Sequence, residues 1–141
     1  MTDVRLAHVG PEVIAPSEVA VLVAGPAAGA VVTFVGAVRD TSDGRGVEQL
    51  DYEAHPDSPG LLGTILATAC APFDDVSAVA AAHRTGSLAV GEVALAVAVS
   101  AGHREQAFAA AAAVVDAIKA GLPVWKRQVY GDGAAEWVNA S

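Results

Sequence analysis

The side chains best suited to chemistry in this 141-residue chain are its bases, because there are so few of them. Eight Lys and Arg face sixteen Asp and Glu, a formal net charge of -8. Both lysines of the chain, Lys119 and Lys126, fall within one short segment, and Arg127 follows directly. His103 and Arg104 stand together where a long helical pattern begins, and Arg39 ends a run of β-branched residues beside the turn-forming cluster DTSDGRG. Each group suits an anion. The first turn of a helix offers unpaired N–H groups and a positive dipole end, so bases added there make a phosphate site. An Arg fork holds a phosphate or a carboxylate through two hydrogen bonds. For Lys119 two readings stand side by side. A lysine in the last helical turn complements the negative helix end. A lysine crowded by cations and partly desolvated has a lowered pKa and can serve as acid, base or nucleophile.

Other chemistries find little support. A net acidic chain is a poor nucleic-acid binder, since that affinity comes from Lys and Arg neutralising phosphates. His8, His55, His83 and His103 lack any HxH or HxxxH spacing, which argues against zinc. There is no Walker loop, GxGxxG or GxSxG pattern, and the DGRG turn reads as a hairpin loop. Cys70 is the single cysteine and lies in the apolar context ILATACAPF, so it reads as a buried helix residue rather than a reactive thiol.

The elements that must position these bases follow from periodicity. Length and 53% hydrophobic residues fit one domain, 1–141, with a substantial core. No apolar run reaches the roughly 20 residues of a membrane span. The start MTDVRLAHVG carries no signal-peptide pattern, which points to a soluble cytoplasmic protein. Strands are expected over 3–8, 30–39, 47–55, 76–83 and 92–100, with 47–55 paired to the strand before it and DTSDGRG a mobile surface loop. Helices are expected after Pro16 with Ser17 as N-cap, from Pro59 through Ala69, and over 103–120. In the last helix Phe108, Ala111, Val115 and Ile118 form the apolar stripe, and Gly121 with Pro123 ends it. VWKRQVY and EWV read as closing strands, and the whole as an α+β domain rather than a doubly wound parallel sheet.

The strings VTFVGAVRD, DYEAH, HRTGSLAVGE, SAGHREQAFAA, IKAGLPVWKRQVY and EWV, in this order and spacing, resemble the molybdopterin synthase catalytic subunit over nearly the whole chain. The resemblance implies an α/β-hammerhead fold with an additional antiparallel sheet. It implies a homodimer flanked by two small ubiquitin-like carrier subunits, a heterotetramer. It also implies a sulfurtransferase reaction of molybdenum cofactor biosynthesis. The carrier's C-terminal Gly-Gly thiocarboxylate would supply sulfur twice to cyclic pyranopterin monophosphate, with no metal consumed and no cofactor of its own.

Carried over residue by residue, the substrate pocket comprises Ala37, Val38 and Arg39, His103 and Arg104, Lys119, Lys126, Arg127 and Gln128. Lys119 is the expected central catalytic group and Lys126 its support. Fifteen residues of helix separate Arg104 from Lys119 by roughly 22 Å, too far for one small substrate to touch both. A composite site is therefore expected, with His103 and Arg104 coming from a partner subunit. The chain departs from the family at Trp137, Val138, Asn139, Ala140 and Ser141, where family members often continue into a charged tail with an Arg; Arg127 or Arg45 would have to compensate. The competing readings are a dimeric anion-binding protein and a subunit that docks the carrier without transferring sulfur.

Overall fold

The computed structural model of the chain describes residues 1–139, so Ala140 and Ser141 lie outside the described residues. In chain order the elements are β1 (Asp3–Gly10), α1 (Pro16–Val23), β2 (Ala30–Ala37), β3 (Thr41–Ser42), β4 (Arg45–Ala54), α2 (Ser58–Cys70), β5 (Val76–Arg84), β6 (Gly86–Ala89), β7 (Val93–Ala101), α3 (Arg104–Gly121), β8 (Val124–Tyr130) and β9 (Ala135–Asn139). The class is α+β. One sheet runs β1-β5-β7-β2, with β1 and β5 parallel and the other pairs antiparallel. A second, wholly antiparallel sheet runs β3-β4-β8-β9, with β6 added to β4. Among the described residues no helix is long and apolar enough to cross a membrane.

The first sheet is covered on both faces, and its sequence shows how. Along β5 and β7 successive side chains point to opposite faces. Val79, Ala81, Val97 and Val99 therefore join the core under α2 and α3, whereas Ala78, Ala80, Ala82, Ala96 and Ala98 meet Ile14, Val19 and Val23 around α1. The alanine face lets the short helix lie close; the valine face fills the larger space beneath two helices. Leu62, Leu66 and Cys70 of α2 are fully enclosed in that larger core.

Four expectations change. Helix α1 is started by Pro16 at its first turn, with Ala15 at the cap and no side-chain cap bond, so Ser17 lies inside the helix. Strand β2 ends at Ala37 rather than Arg39. The DGRG turn is the hairpin loop expected of it. Asp43 and Gly44 take φ 52° and 77°, and Thr41 and Ser42 pair with Gly46 and Arg45. Positive φ at both central residues is the two-residue turn that matches strand twist, and Asp-Gly suits it. Strand β4 pairs with β3, β6 and β8, not with β2, which gives its ladder to β7. The imperfect alternation of Val47, Leu50 and Tyr52 has a cause: the register slips between Val47 and Gln49, and the extra residue turns Val47 inward alongside Leu50 and Tyr52. Finally, Phe108 of α3 is exposed, and the buried stripe is Ala107, Ala110, Ala111, Val114, Val115 and Ile118. Phe108 follows Ala107 by one residue, about 100° around the helix and off that stripe.

Candidate active site

Between the two sheets lies a cavity of about 450 Å³. The C-terminal end of β2 gives it Phe34 and Ala37, the following residues give Arg39, and β4 gives Leu50 and Tyr52. His83 enters from β5, Lys119 from the last turn of α3, and Lys126 and Gln128 from β8. Local sequence places the two lysines. Helix α3 stops at Gly121, where the Leu122 N–H still reaches the Ile118 carbonyl at 2.9 Å, and Pro123 leads straight into β8. Lys119 is thus held at a helix end while the chain turns back beside it. Along β8, Val124, Lys126 and Gln128 share the inner face, whereas Trp125 and Arg127 face outward, as a two-residue period requires.

The electrostatics of this cavity are one-sided. Arg39, Lys119 and Lys126 line it, yet none of its lining residues is Asp or Glu, although the chain carries sixteen of them. Among the described residues these three cations form no salt bridge, whereas Arg5, Arg45, Arg84 and Arg127 are all paired with carboxylates. Partial burial holds the Lys126 amine below its ordinary pKa, and the charges of Lys119 and Arg39 push in the same direction. Gln128 is buried, and its Oε1 accepts a hydrogen bond from the Tyr130 hydroxyl at 2.9 Å.

Not every expected residue reaches the cavity. Val38 is buried beside it, in the main core. Arg127 lies on the opposite face of β8 and donates to Asp51 at 3.1 Å. His103 and Arg104 stand at the far end of α3. There Asp75 Oδ2 accepts the His103 backbone N–H at 2.8 Å and lies 3.2 Å from its Nδ1, so a neighbouring loop caps the helix. A side chain at Gly102 would strike Asp75, its Cβ landing 2.5 Å from Oδ1, so glycine is what admits this carboxylate. The His103 ring itself is 88% exposed.

Sequence reasoning passed over Phe34, Tyr52 and His83 as cavity residues. His83 was weighed for zinc spacing alone; its signal was its place at the end of a strand, next to Arg84 in HRTG. Among the described residues no group of three or more His, Cys, Asp or Glu is placed to hold a metal ion. Cys70 is enclosed beneath α2, and burial pushes its thiol up to about 11.

The sequence matches the family described as MoaE protein over residues 9–121. The molybdopterin synthase catalytic subunit of Aspergillus clavatus is 44% identical over 124 residues, which cover 86% of this chain and 62% of that protein. Molybdopterin synthase catalytic subunit 1 of Mycobacterium tuberculosis is 41% identical over 123 residues, covering 86% of this chain and 82% of the relative. The chain spans about three-fifths of the length of the fungal relatives it matches. The crystal structure of molybdopterin synthase from Staphylococcus aureus has the same fold, with a TM-score of 0.86 and 29% identity over 93% of this chain and 95% of that one. With a match across most of its length, and relatives above 40% identity, the chain belongs to the MoaE protein family.

Proposed function

We propose that this chain is the catalytic subunit of a molybdopterin synthase, a cytoplasmic sulfurtransferase of molybdenum cofactor biosynthesis that folds as one domain over residues 1–141. Its substrate is cyclic pyranopterin monophosphate. Its sulfur donor is the C-terminal Gly-Gly thiocarboxylate of a small ubiquitin-like carrier, used twice to build the dithiolene. The observation that carries this reading is the acid-free cavity with three unpaired cations. Both reactants are anions at the groups that must enter. Lys126 is half-buried, so leaving its ammonium unpaired costs stability, and a bound anion repays that cost.

In this reading Arg39 and Lys126 hold the substrate, with Ala37, Val38 and Gln128 shaping the wall. Lys119 stands at the incoming thiocarboxylate, where its charge stabilises the oxyanion formed when water adds to the acyl carbon, before the C–S bond breaks and leaves the sulfur on the pterin and a carboxylate on the carrier. His103, Arg104 and Arg127 lie outside this cavity, and α3 runs eighteen residues between its ends. The first two serve a neighbouring site: in a homodimer, His103 and Arg104 of one subunit complete the cavity of the other. Arg127 acts on the outer face of β8 through Asp51.

The deciding experiment combines the protein with a thiocarboxylated carrier and the cyclic pterin, and compares it with Lys119→Ala. Dithiolene formed by the wild type and not by the variant supports the reading. Tight carrier binding with no product from either protein makes the chain a docking subunit, and phosphate-ester binding without carrier affinity makes it an anion-binding protein.

A further inference from the structure

His83 is the one imidazole in the cavity, and its surroundings fix its chemistry. It sits on β5 between Val9 of β1 and Leu95 of β7, with 6% of its surface exposed. Its Nδ1 lies 2.9 Å from the Arg84 carbonyl oxygen. A carbonyl only accepts, so Nδ1 carries the hydrogen, and in the neutral ring Nε2 is left with its lone pair bare. The Tyr52 ring meets the imidazole edge-on at 5.2 Å and 74°, which limits its rotation.

The bare nitrogen faces the cavity. Nε2 has no hydrogen-bond partner among the described residues, and the only fully enclosed, unpaired side-chain atom is Ser100 Oγ. Nε2 therefore reaches open space, and the open space that His83 lines is the cavity. Burial holds the ring's pKa below its ordinary value; the Arg84 carbonyl works against this and the positive charge of Lys119 works with it. The imidazole is neutral at neutral pH.

A neutral acceptor has a use in this place that a carboxylate would not. Arg39, Lys119 and Lys126 have only donors. A carboxylate beside Lys119 would fix its direction but cancel its charge, and that charge is what attracts and stabilises an anion. An unprotonated imidazole fixes direction and leaves the full positive charge. We infer that His83 is a positioning residue of this cavity: its bare Nε2, which bonds no side chain among the described residues, is the acceptor toward which the Lys119 ammonium turns when it is aimed at the bound anion. The inference rests on the reading of Lys119 as the group that meets the thiocarboxylate.

Two measurements test it, and they fail separately from that reading. The first is long-range 15N NMR of the histidines in the full chain. His83 should show the Nδ1–H tautomer, and its Nε2 resonance should move when Lys119→Met removes the donor. An Nε2–H tautomer, or an Nε2 resonance indifferent to Lys119, overturns the inference even if sulfur transfer proceeds. The second is sulfur transfer by His83→Leu and His83→Gln. His83→Leu should lower kcat roughly tenfold with carrier affinity and KM for the pterin unchanged, since misdirecting a catalytic group costs rate rather than binding. His83→Gln, which can place an oxygen where Nε2 was, should recover most of the loss. Equal loss in both variants, or none in His83→Leu, overturns it. If wild type makes no product, the functional reading fails and the NMR alone decides whether His83 holds Lys119.

Discussion

At the start of α3, His103 is tied to an acid: Asp75 takes both its backbone N–H and the approach of its ring, and the rest of the imidazole is in solvent. At the end of the same helix, Lys119 enters a cavity without any acid, in company with Lys126 and Arg39. Both ends carry bases, yet at the first His103 is paired within the fold, whereas among the described residues none of the three cations at the second has an ion-pair partner. In a chain with twice as many acids as bases, an acid-free cavity around three cations is suited to an anion from outside, as the function proposed above requires. The paired end is built to hold a side chain in one orientation and present it outward. The unpaired end is built to receive charge.

The strongest break in this comparison is Lys119→Ala, which should reduce sulfur transfer by about a hundredfold or more while leaving thermal stability unchanged, because Lys119 is exposed and unpaired. Product formation and a melting curve on the same preparation check it. The comparison sharpens when the two ends are inactivated in different subunits. Lys119→Ala and His103→Ala proteins, each inactive alone, should regain about a quarter of wild-type activity after equal mixing and subunit exchange, since half the dimers are then mixed and each has one intact site. No activity above the parents would place both ends' roles within one subunit.

Lys126 provides a pH test whose two signs are opposite. Its depressed pKa means the folded chain gives up this proton at a pH where the unfolded chain still holds it. Across the window from that lowered value up to 10.5, stability therefore rises with pH, whereas anion binding falls as the amine loses its charge. Lys126→Met should weaken substrate binding about tenfold and raise the melting temperature by about 1–3 °C, read by substrate titration and thermal unfolding. At the paired end, Asp75→Ala should cost about 1 kcal/mol by urea unfolding, the usual value of a helix cap. The smallest effect belongs to neither end. Cys70 should resist thiol reagents in the native protein, and Cys70→Ala should leave sulfur transfer unchanged, because its thiol is enclosed and pushed up to about 11.

Much of this was legible in the sequence, for reasons local to each segment. The span of α3 follows from its apolar period and the Gly121 stop, and β7 from its alternation, because both periods are properties of neighbouring residues. Cys70 was readable as buried from its apolar context. The scarcity of bases singled out Arg39, Lys119 and Lys126, since charge kept in an acidic chain is conspicuous without any fold. Phe108 was misplaced because a helical period allows more than one phase, and only packing against the sheet and α2 selects the phase built from alanines.

What the tertiary structure alone decided is which residues share a space. Lys126 and Arg127 are adjacent in sequence, yet the register of β8 against β4 puts one in the cavity and the other on Asp51. The bulge that turns Val47 inward belongs to a pairing between segments about eighty residues apart, which no local period encodes. His83 looked like one of four scattered histidines until β5 brought it to the cavity that Lys119 also enters. Residue type and local spacing settle what each segment is and which groups it carries. The contacts between segments are chosen by the burial of faces distant in sequence, and those contacts decide which charges find partners and which are left for a ligand.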